Sequence, residues 1–104
     1  MEWKILYSEK FQILHFSLKH PLAPGDIAGL HLPRLDTSRG VILSGKKGPI
    51  WLFGFLVHEC HPHPFVGIYE PRFKIAVIIE RHTPDAPAVG SVLDLSKYAE
   101  ELDQ

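Results

Sequence analysis

The chain has 104 residues, of which 45% are hydrophobic and 22% charged, and its net charge at pH 7 is −1 with the histidines neutral. This length leaves room for one domain with one core, and the composition is that of a soluble globular protein. No apolar run reaches the roughly 18 residues that span a bilayer, and the balanced charge excludes the broad basic field of duplex-DNA binders. The first residues lack the apolar core of a signal peptide, and the only cysteine, Cys60, excludes an internal disulfide, so we expect a cytoplasmic protein.

The chain begins with a predicted β-hairpin. Lys4 to Tyr7 and Phe11 to Leu18 are β-type runs separated by a short polar turn. Alternate residues from Gln12 to Leu18 form a mostly apolar face, which we expect to lie on the core. The proline-rich segment that follows leaves room only for a short helix around Gly25 to Leu30.

The central stretch runs from Gly40 to His61. Gly40 to Leu43 has no polar alternation, which is typical of a strand covered on both faces. The loop Ser44–Gly48 leads into an apolar helix from Pro49, at the first helical position, to about Cys60. Because this helix is apolar nearly all round, we expect it to be buried in the monomer or against a second subunit. Its internal glycine, Gly54, suggests close backbone packing.

The last third of the chain predicts three strands and a terminal helix. Phe65 to Tyr69 and Ile75 to Ile79 are joined by a turn too short for a crossover helix, so we expect them to pair antiparallel. Val92 to Leu95 is a short strand, and Lys97 to Leu102 predicts a polar terminal helix with frayed ends. The order of elements indicates an α/β fold: a single small domain, residues 1–104, with a mixed sheet and one central buried helix.

The loop between the central strand and helix is the first candidate site, and it comprises Ser44, Gly45, Lys46, Lys47 and Gly48. It lacks the spacing of a Walker A motif. One interpretation is a tight turn with two solvated lysines. The other is a nest of backbone N–H groups that binds a phosphodiester, helped by the start of the helix.

Histidines and one charged pair provide the other candidates. His58 and His61 are three residues apart, so on a helix they share a face and can reach one metal ion or one phosphate. Glu70 and Arg72 form either an ion pair or a carboxylate base with a phosphate-binding guanidinium. With His82, which follows the next strand, these residues could converge on one site. As bare residues, His58 and His61 are equally explained as exposed polar groups at a helix end, and the remaining histidines at 15, 20 and 31 are interpreted as ordinary polar residues.

The segment from Arg39 to Arg72, RGVILSGKKGPIWLFGFLVHECHPHPFVGIYEPR, resembles the small CRISPR-associated ring nucleases of type III systems. Their pattern is a strand, an S-G-x-G-P-I-W loop, a helix ending in H-x-x-H, a further strand and D-P-R. The likeness extends more loosely to the hairpin, to His82 and to the G-x-V-x-D strand at Gly90 to Asp94.

This resemblance implies a CARF-related, modified Rossmann-like fold and a manganese-dependent enzyme that linearises cyclic tetra-adenylate. It implies a homodimer, with two dimers sandwiching the ligand. Carried over by position, His61, Glu70 and Arg72 are catalytic, and Glu70, His61 and His82 bind Mn²⁺. Ser44, Gly45, Lys46, Lys47, Gly48 and His58 contact the ligand.

Two departures from the family pattern fall within the implied site. Glu70 stands where the family has aspartate, and the loop is one residue longer, with Lys46 and Lys47 in place of a single basic residue. A carboxylate displaced by about an ångström can cost ~100-fold in rate. The resemblance also implies a manganese-dependent 3′ exoribonuclease as an alternative function, and the Glu70 departure favours a non-catalytic cyclic-oligoadenylate-binding protein as a further alternative.

Overall fold

The computed structural model describes residues 1–104, and its centre is one six-stranded sheet whose strands lie side by side in sequence order. The strands are β1 (Glu2–Tyr7), β2 (Phe11–Ser17), β3 (Gly40–Gly45), β4 (Phe65–Glu70), β5 (Ile75–Arg81) and β6 (Val92–Asp94). The central strands β2, β3 and β4 are parallel, and the pairs β1–β2, β4–β5 and β5–β6 are antiparallel. The mixed α/β sheet predicted from the sequence is therefore confirmed.

Two α-helices and two short 3-10 helices complete the chain. The first α-helix, α1 (Ile50–Glu59), connects β3 to β4, and the second, α2 (Ala99–Leu102), follows β6. The 3-10 helices are Pro24–Gly29 in the proline-rich segment and Ser96–Tyr98 before α2. No helix has both the length and the apolar character needed to cross a membrane.

The three parallel strands give the sheet two distinct ends. We call the end where β2, β3 and β4 finish the carboxyl end, and the end where they begin the amino end. Because α1 starts after β3 and returns the chain to the start of β4, it runs from the carboxyl end to the amino end. The six-residue strand β4 separates the two ends by roughly 17 Å, at about 3.3 Å for each of five steps.

Both faces of the sheet are covered. On one face Leu52 and Leu56 of α1 are fully buried against Leu14, Val41 and Leu43. On the other face, Leu95 and Leu102 pack against Ile13, Ile42 and Ile78. The prediction that only one face of β2 lies on the core was therefore incomplete, because Ile13 on its second face is also fully buried. The terminal helix supplies the second layer.

The helix α1 is less buried than its composition predicted. Ile50 is 90% exposed and Trp51 is 38% exposed, although both are large apolar residues. A Cβ added to Gly54 would meet no atom within 4 Å, so the close backbone packing expected at this glycine is absent in the monomer. Pro49 is the N-cap, with extended backbone, rather than the first helical residue. An apolar face of α1 around Gly54 is thus left open to solvent.

Candidate functional site

The loop at the carboxyl end is built on one aromatic ring. Phe16 of β2 is fully buried, and a Cβ on Gly45 would lie 2.3 Å from its Cζ atom. A Cβ on Gly48 would lie 2.5 Å from the same atom. Between these glycines, Lys47 adopts a left-handed φ of 63°, a conformation uncommon for residues other than glycine. The turn therefore requires glycine at 45 and 48, and the two lysines between them project from it at exposed positions.

The first two residues of this candidate site belong to a strand rather than to a loop. Ser44 and Gly45 are the last residues of β3, and only residues 46–48 lie outside the strand. The Ser44 side chain is almost fully buried, and its hydroxyl lies 2.9 Å from Nδ1 of His15. His15 is directly opposite Ser44 in the parallel pairing of β2 with β3. Burial lowers the pKa of His15, and the nearby ammonium groups of Lys4 and Lys46 lower it further.

A cavity of about 480 Å³ opens beside the lysine loop. Lys46 and Lys47 form one wall, and the chain that leaves β2 forms another, with His15, Lys19 and His20. The cavity is large enough for a nucleotide-sized ligand. Lys19 is paired with Glu2, with 2.8 Å between its Nζ atom and Oε1. Three of its ten lining residues are lysines and none is acidic, which suits an anion. The sequence interpretation missed His15, Lys19 and His20 as lining residues, because it did not establish that β2 and β3 are adjacent and parallel.

The end of the chain closes the same cavity. Gln104 lines it, and Nζ of Lys46 donates a hydrogen bond to the backbone carbonyl of Asp103. The Asp103 carboxylate accepts hydrogen bonds from the Tyr69 hydroxyl at 3.0 Å and from Nζ of Lys74 at 3.2 Å. Burial and the Asp103 carboxylate raise the pKa of Tyr69 to about 12, so this hydroxyl remains a donor at neutral pH. The tail is thus held by one of the two lysines predicted to bind ligand.

Glu70 and Arg72 also lie at the carboxyl end, where they form an ion pair. Nε of Arg72 donates to Oε1 of Glu70 at 3.0 Å, and Nη2 of Arg72 lies 2.5 Å from the same oxygen. The Arg72 guanidinium lowers the pKa of the Glu70 carboxyl. Glu70 is therefore ionised at neutral pH, and the guanidinium, with its side chain 76% exposed, remains accessible to an anion.

The histidine pair lies at the amino end. The rings of His61 and His82 approach to 5.3 Å between centroids in an edge-to-face arrangement. The Nδ1–H of His82 donates to the backbone carbonyl of His63 at 2.7 Å, which leaves Nε2 of His82 directed toward Glu80, 3.4 Å from Oε1. His63 itself is buried, and its Nδ1–H donates to the carbonyl of Arg39 at 3.0 Å. A backbone carbonyl that fixes one ring nitrogen, as in His82, is typical of histidines that bind metals or transfer protons.

The ring pair in the structure is His61 with His82, whereas the sequence spacing had favoured His58 with His61. The helix α1 ends at Glu59 and Cys60 is its C-cap, so His61 lies in the turn that follows rather than on the helix. His58 is exposed in the last turn of α1. Cys60 is fully buried, and burial raises the pKa of its thiol to about 12, which makes it unreactive at neutral pH.

The five candidate residues that were expected to converge do not meet within one chain. His61 precedes β4 and Glu70 ends it, so they lie at opposite ends of the sheet. The antiparallel hairpin β4–β5 then brings His82 back to the amino end, because Phe65 pairs with Arg81. The expectation that His58, His61, Glu70, Arg72 and His82 meet was therefore wrong for a single chain. In agreement, no three histidine, cysteine or acidic side chains lie close enough together to hold a metal ion, so the residues implied for Mn²⁺ do not form a complete site in one subunit.

Comparison with known proteins identifies the family. The sequence profile of the CRISPR-associated protein family Cas_csx3 matches residues 15–94, which include both ends of the sheet and all the candidate residues. An uncharacterised protein of Aquifex aeolicus (strain VF5) is 36% identical over 85 residues, which cover 78% of this chain and 75% of that protein. The chain therefore belongs to the Cas_csx3 family of CRISPR-associated proteins.

Proposed function

We propose that the protein is a ring nuclease, a phosphodiesterase that binds and linearises cyclic tetra-adenylate and so switches off type III CRISPR antiviral signalling. The observation that carries this proposal is the division of the candidate residues between the two ends of the sheet. The carboxyl end offers a cavity lined by Lys46 and Lys47 and, outside that cavity, the exposed Arg72, and the amino end offers the His61–His82 pair. Phosphodiester cleavage needs both phosphate-binding cations and a group that transfers protons, and each end of the sheet supplies one of these.

The division supports a ligand held between subunits. A large cyclic ligand with several phosphates can contact the carboxyl end of one subunit and the amino end of another. In this arrangement the lysines and Arg72 neutralise phosphate charge, and arginine is suited to this by its fork of N–H donors. His61 transfers a proton to or from the reacting oxygens, because imidazole is the side chain that exchanges protons near neutral pH.

A divalent ion, Mn²⁺ in this proposal, would supply further charge stabilisation at the scissile phosphate. Because no single subunit offers three ligands, His61 and His82 of one subunit would hold it together with Glu70 of another. Glu70 is ionised beside Arg72, as a metal ligand must be.

The open face of α1 supports the homodimer in this proposal. Ile50 and Trp51 leave large apolar side chains exposed, and Gly54 leaves the backbone accessible between them and the end of the helix. Two copies of such a face can approach closely and exclude water from both. A dimer formed through α1, and a second dimer recruited by ligand, would give the tetrameric assembly.

The direct test is incubation of the purified protein with cyclic tetra-adenylate and Mn²⁺, followed by chromatography of the products. We expect linear products from the wild type, and a loss of at least about 100-fold in rate for His61→Ala and for Glu70→Gln. His31→Ala is the matched control, because His31 is exposed and lines neither cavity of the structure. Absence of cleavage by the wild type would refute the ring nuclease.

A mixing experiment tests whether subunits share the site. His61→Ala and Glu70→Gln are each expected to be inactive, but a mixture of the two contains assemblies in which one composite site is intact. We expect partial recovery of activity on mixing, up to about a quarter of the wild-type rate if the subunits assort at random. No recovery, in preparations that demonstrably exchange subunits, would mean that each site is formed by one chain.

A non-catalytic binder of the same ligand is the second candidate, and one observation favours it. Glu70 accepts two hydrogen bonds from Arg72, so its carboxylate is already engaged in the free protein. Tight binding of cyclic tetra-adenylate without turnover, in the presence of Mn²⁺, would support this alternative over the nuclease.

A further inference from the structure

The pair His15 and Ser44 forms a buried hydrogen bond at the wall of the basic cavity. His15 is 8% exposed and Ser44 is 2% exposed, and Nδ1 lies 2.9 Å from Oγ. The pair is part of a row across the sheet, because Lys4 of β1 is opposite His15 and His15 is opposite Ser44.

The direction of this hydrogen bond depends on whether Nδ1 of His15 carries a proton, which the protonated ring always does and the neutral ring does only in its Nδ1–H tautomer. If Nδ1 carries a lone pair, the Ser44 hydroxyl donates its hydrogen to it, and Oγ turns only lone pairs toward other partners. If Nδ1 carries a proton, it donates to Oγ, and the hydroxyl hydrogen is free for another acceptor. Only the second state presents a donor to the oxygen of a phosphodiester.

The charged groups around His15 favour the neutral ring in the absence of ligand. Lys4 on one neighbouring strand and Lys46 on the loop both oppose a positive charge on the ring, and the Asp103 carboxylate opposes them more weakly. Among the other residues that line the cavity, Lys47 adds positive potential, and Lys19 adds less because it is paired with Glu2. Glu101, which is 2.8 Å from Nζ of Lys4, offsets part of the charge of Lys4. An anion bound in the cavity favours protonation of His15, because it offsets the charge of the ammonium groups and accepts a hydrogen bond from a hydroxyl that is free to donate.

We propose that His15 is a positioning residue that takes up a proton when a phosphate-type oxyanion binds in the cavity beside Ser44, which fixes a proton on Nδ1 and leaves the serine hydroxyl free to donate to the ligand. The inference rests on the role of the Ser44–Gly48 loop in the proposed function. It concerns binding rather than cleavage, and it adds a residue to which no role in ligand binding had been given. In the range where the coupling operates, affinity rises as pH falls.

The first experiment needs neither the nucleotide nor a variant. Proton NMR follows the ring of His15 in the wild type through a pH titration, with sodium sulfate or with sodium chloride at matched ionic strength. Sulfate is a dianion throughout this range, so any coupling comes from the protein. We expect sulfate to raise the pKa of His15 by about one unit relative to chloride, a tenfold change in protonation.

The variant Ser44→Ala separates the relay from a general effect of charge. It removes the hydroxyl that carries the coupling, and we expect the effect of sulfate on His15 to disappear. An equal effect in this variant, or no effect of sulfate in the wild type, would overturn the proposal.

The second experiment measures the affinity for cyclic tetra-adenylate by calorimetry between about pH 5.5 and about pH 8. Phosphodiesters do not titrate there, so we expect the wild-type Kd to fall by up to about tenfold for each unit of decreasing pH, with His15→Gln showing a flat profile. His31→Gln is the matched control, because His31 is exposed and does not line the cavity, and it should retain the slope. A merely structural role would weaken binding by His15→Gln equally at every pH, which would overturn the coupling.

The two proposals fail in distinguishable ways. If sulfate raises the pKa of His15 but cyclic tetra-adenylate is not cleaved, the nuclease fails and the proton coupling stands. If cleavage occurs but the pH profile of binding is unchanged by His15→Gln, the nuclease stands and the coupling is refuted.

Discussion

Replacing Gly45 with alanine tests the packing on which the lysine loop is built. The new methyl group would lie 2.3 Å from Cζ of Phe16, whereas carbon atoms in contact are about 3.5–4.0 Å apart. The ring would have to move by roughly 1.2–1.7 Å. It has little room, because Phe16 is fully buried and packs against Phe53 and Trp3, with ring centroids 5.3 and 6.5 Å away.

Overpacking of this kind typically costs about 1–3 kcal/mol. We expect Gly45→Ala to lie toward the upper part of that range, because two half-buried aromatic rings, Phe53 and Trp3, pack against the ring of Phe16. In a domain of this size each kcal/mol lowers Tm by about 4–8 °C. Differential scanning calorimetry and urea denaturation measure the change directly.

The matched control is Gly25→Ala, since a Cβ there meets nothing within 4 Å, and its free energy of unfolding should stay within about 0.5 kcal/mol of wild type. A smaller partner should relieve the clash, so Phe16→Leu combined with Gly45→Ala should cost less than the sum of the two single changes. If Gly45→Ala were as stable as the control, the close approach of the Phe16 ring to Gly45 would not determine the conformation of the loop.

Three further predictions concern assembly, the tail and pH. Trp51→Glu places a charge on the open face of α1, so light scattering should show monomers with little change in the free energy of unfolding, and a persistent dimer would exclude that face. In a variant that ends at Leu102, Lys46 no longer donates to the Asp103 carbonyl. The affinity of this variant for cyclic tetra-adenylate should be about fivefold higher than that of the wild type, or roughly 1 kcal/mol, at both low and high salt. An increase seen only at low salt would mean that the lost negative charge, and not the freed lysine, causes it. Because the pKa of His15 is lowered in the folded protein, the unfolded chain binds a proton at His15 more readily than the folded chain as pH falls below about 6.5. The free energy of unfolding, measured in urea, should therefore decrease from pH 7 toward pH 5, and less steeply in His15→Gln; an identical decrease in both proteins would assign the effect to other groups.

The strands and the helix were predictable because their signals are local. Val41, Ile42 and Leu43 have no polar alternation and form a strand covered on both faces, as expected. The turn between β4 and β5 is short, so their antiparallel pairing followed from chain length alone. The division of the site was also within reach, because His61 precedes β4 and Glu70 ends it, and a strand separates its two ends by its own length.

The partner of Ser44 could not be predicted in the same way. That His15 lies opposite Ser44 depends on β2 and β3 being adjacent, parallel and in one particular register. More than twenty residues of proline-rich chain separate the two strands, and no periodicity in either strand determines the register between them. The buried Gln12 illustrates the same limit, since its amide bridges β2 to the backbone of Asp36 with hydrogen bonds of 2.7 and 3.0 Å, and such a long-range contact leaves no local pattern.

The placement of the lysine loop and the histidine pair at opposite ends of the sheet has a consequence for dose response. A ligand that must contact the carboxyl end of one subunit and the amino end of another joins the two subunits. An excess of ligand over protein prevents this joining. When ligand is scarce, each molecule recruits two partners and cleavage is fast; when ligand saturates every carboxyl end separately, few complete sites form. The rate of the proposed reaction should therefore pass through a maximum as ligand concentration rises, and the maximum should move to higher ligand concentration in proportion to the protein. A second messenger cleared in this way would be removed most efficiently at low levels, late in a response rather than at its peak.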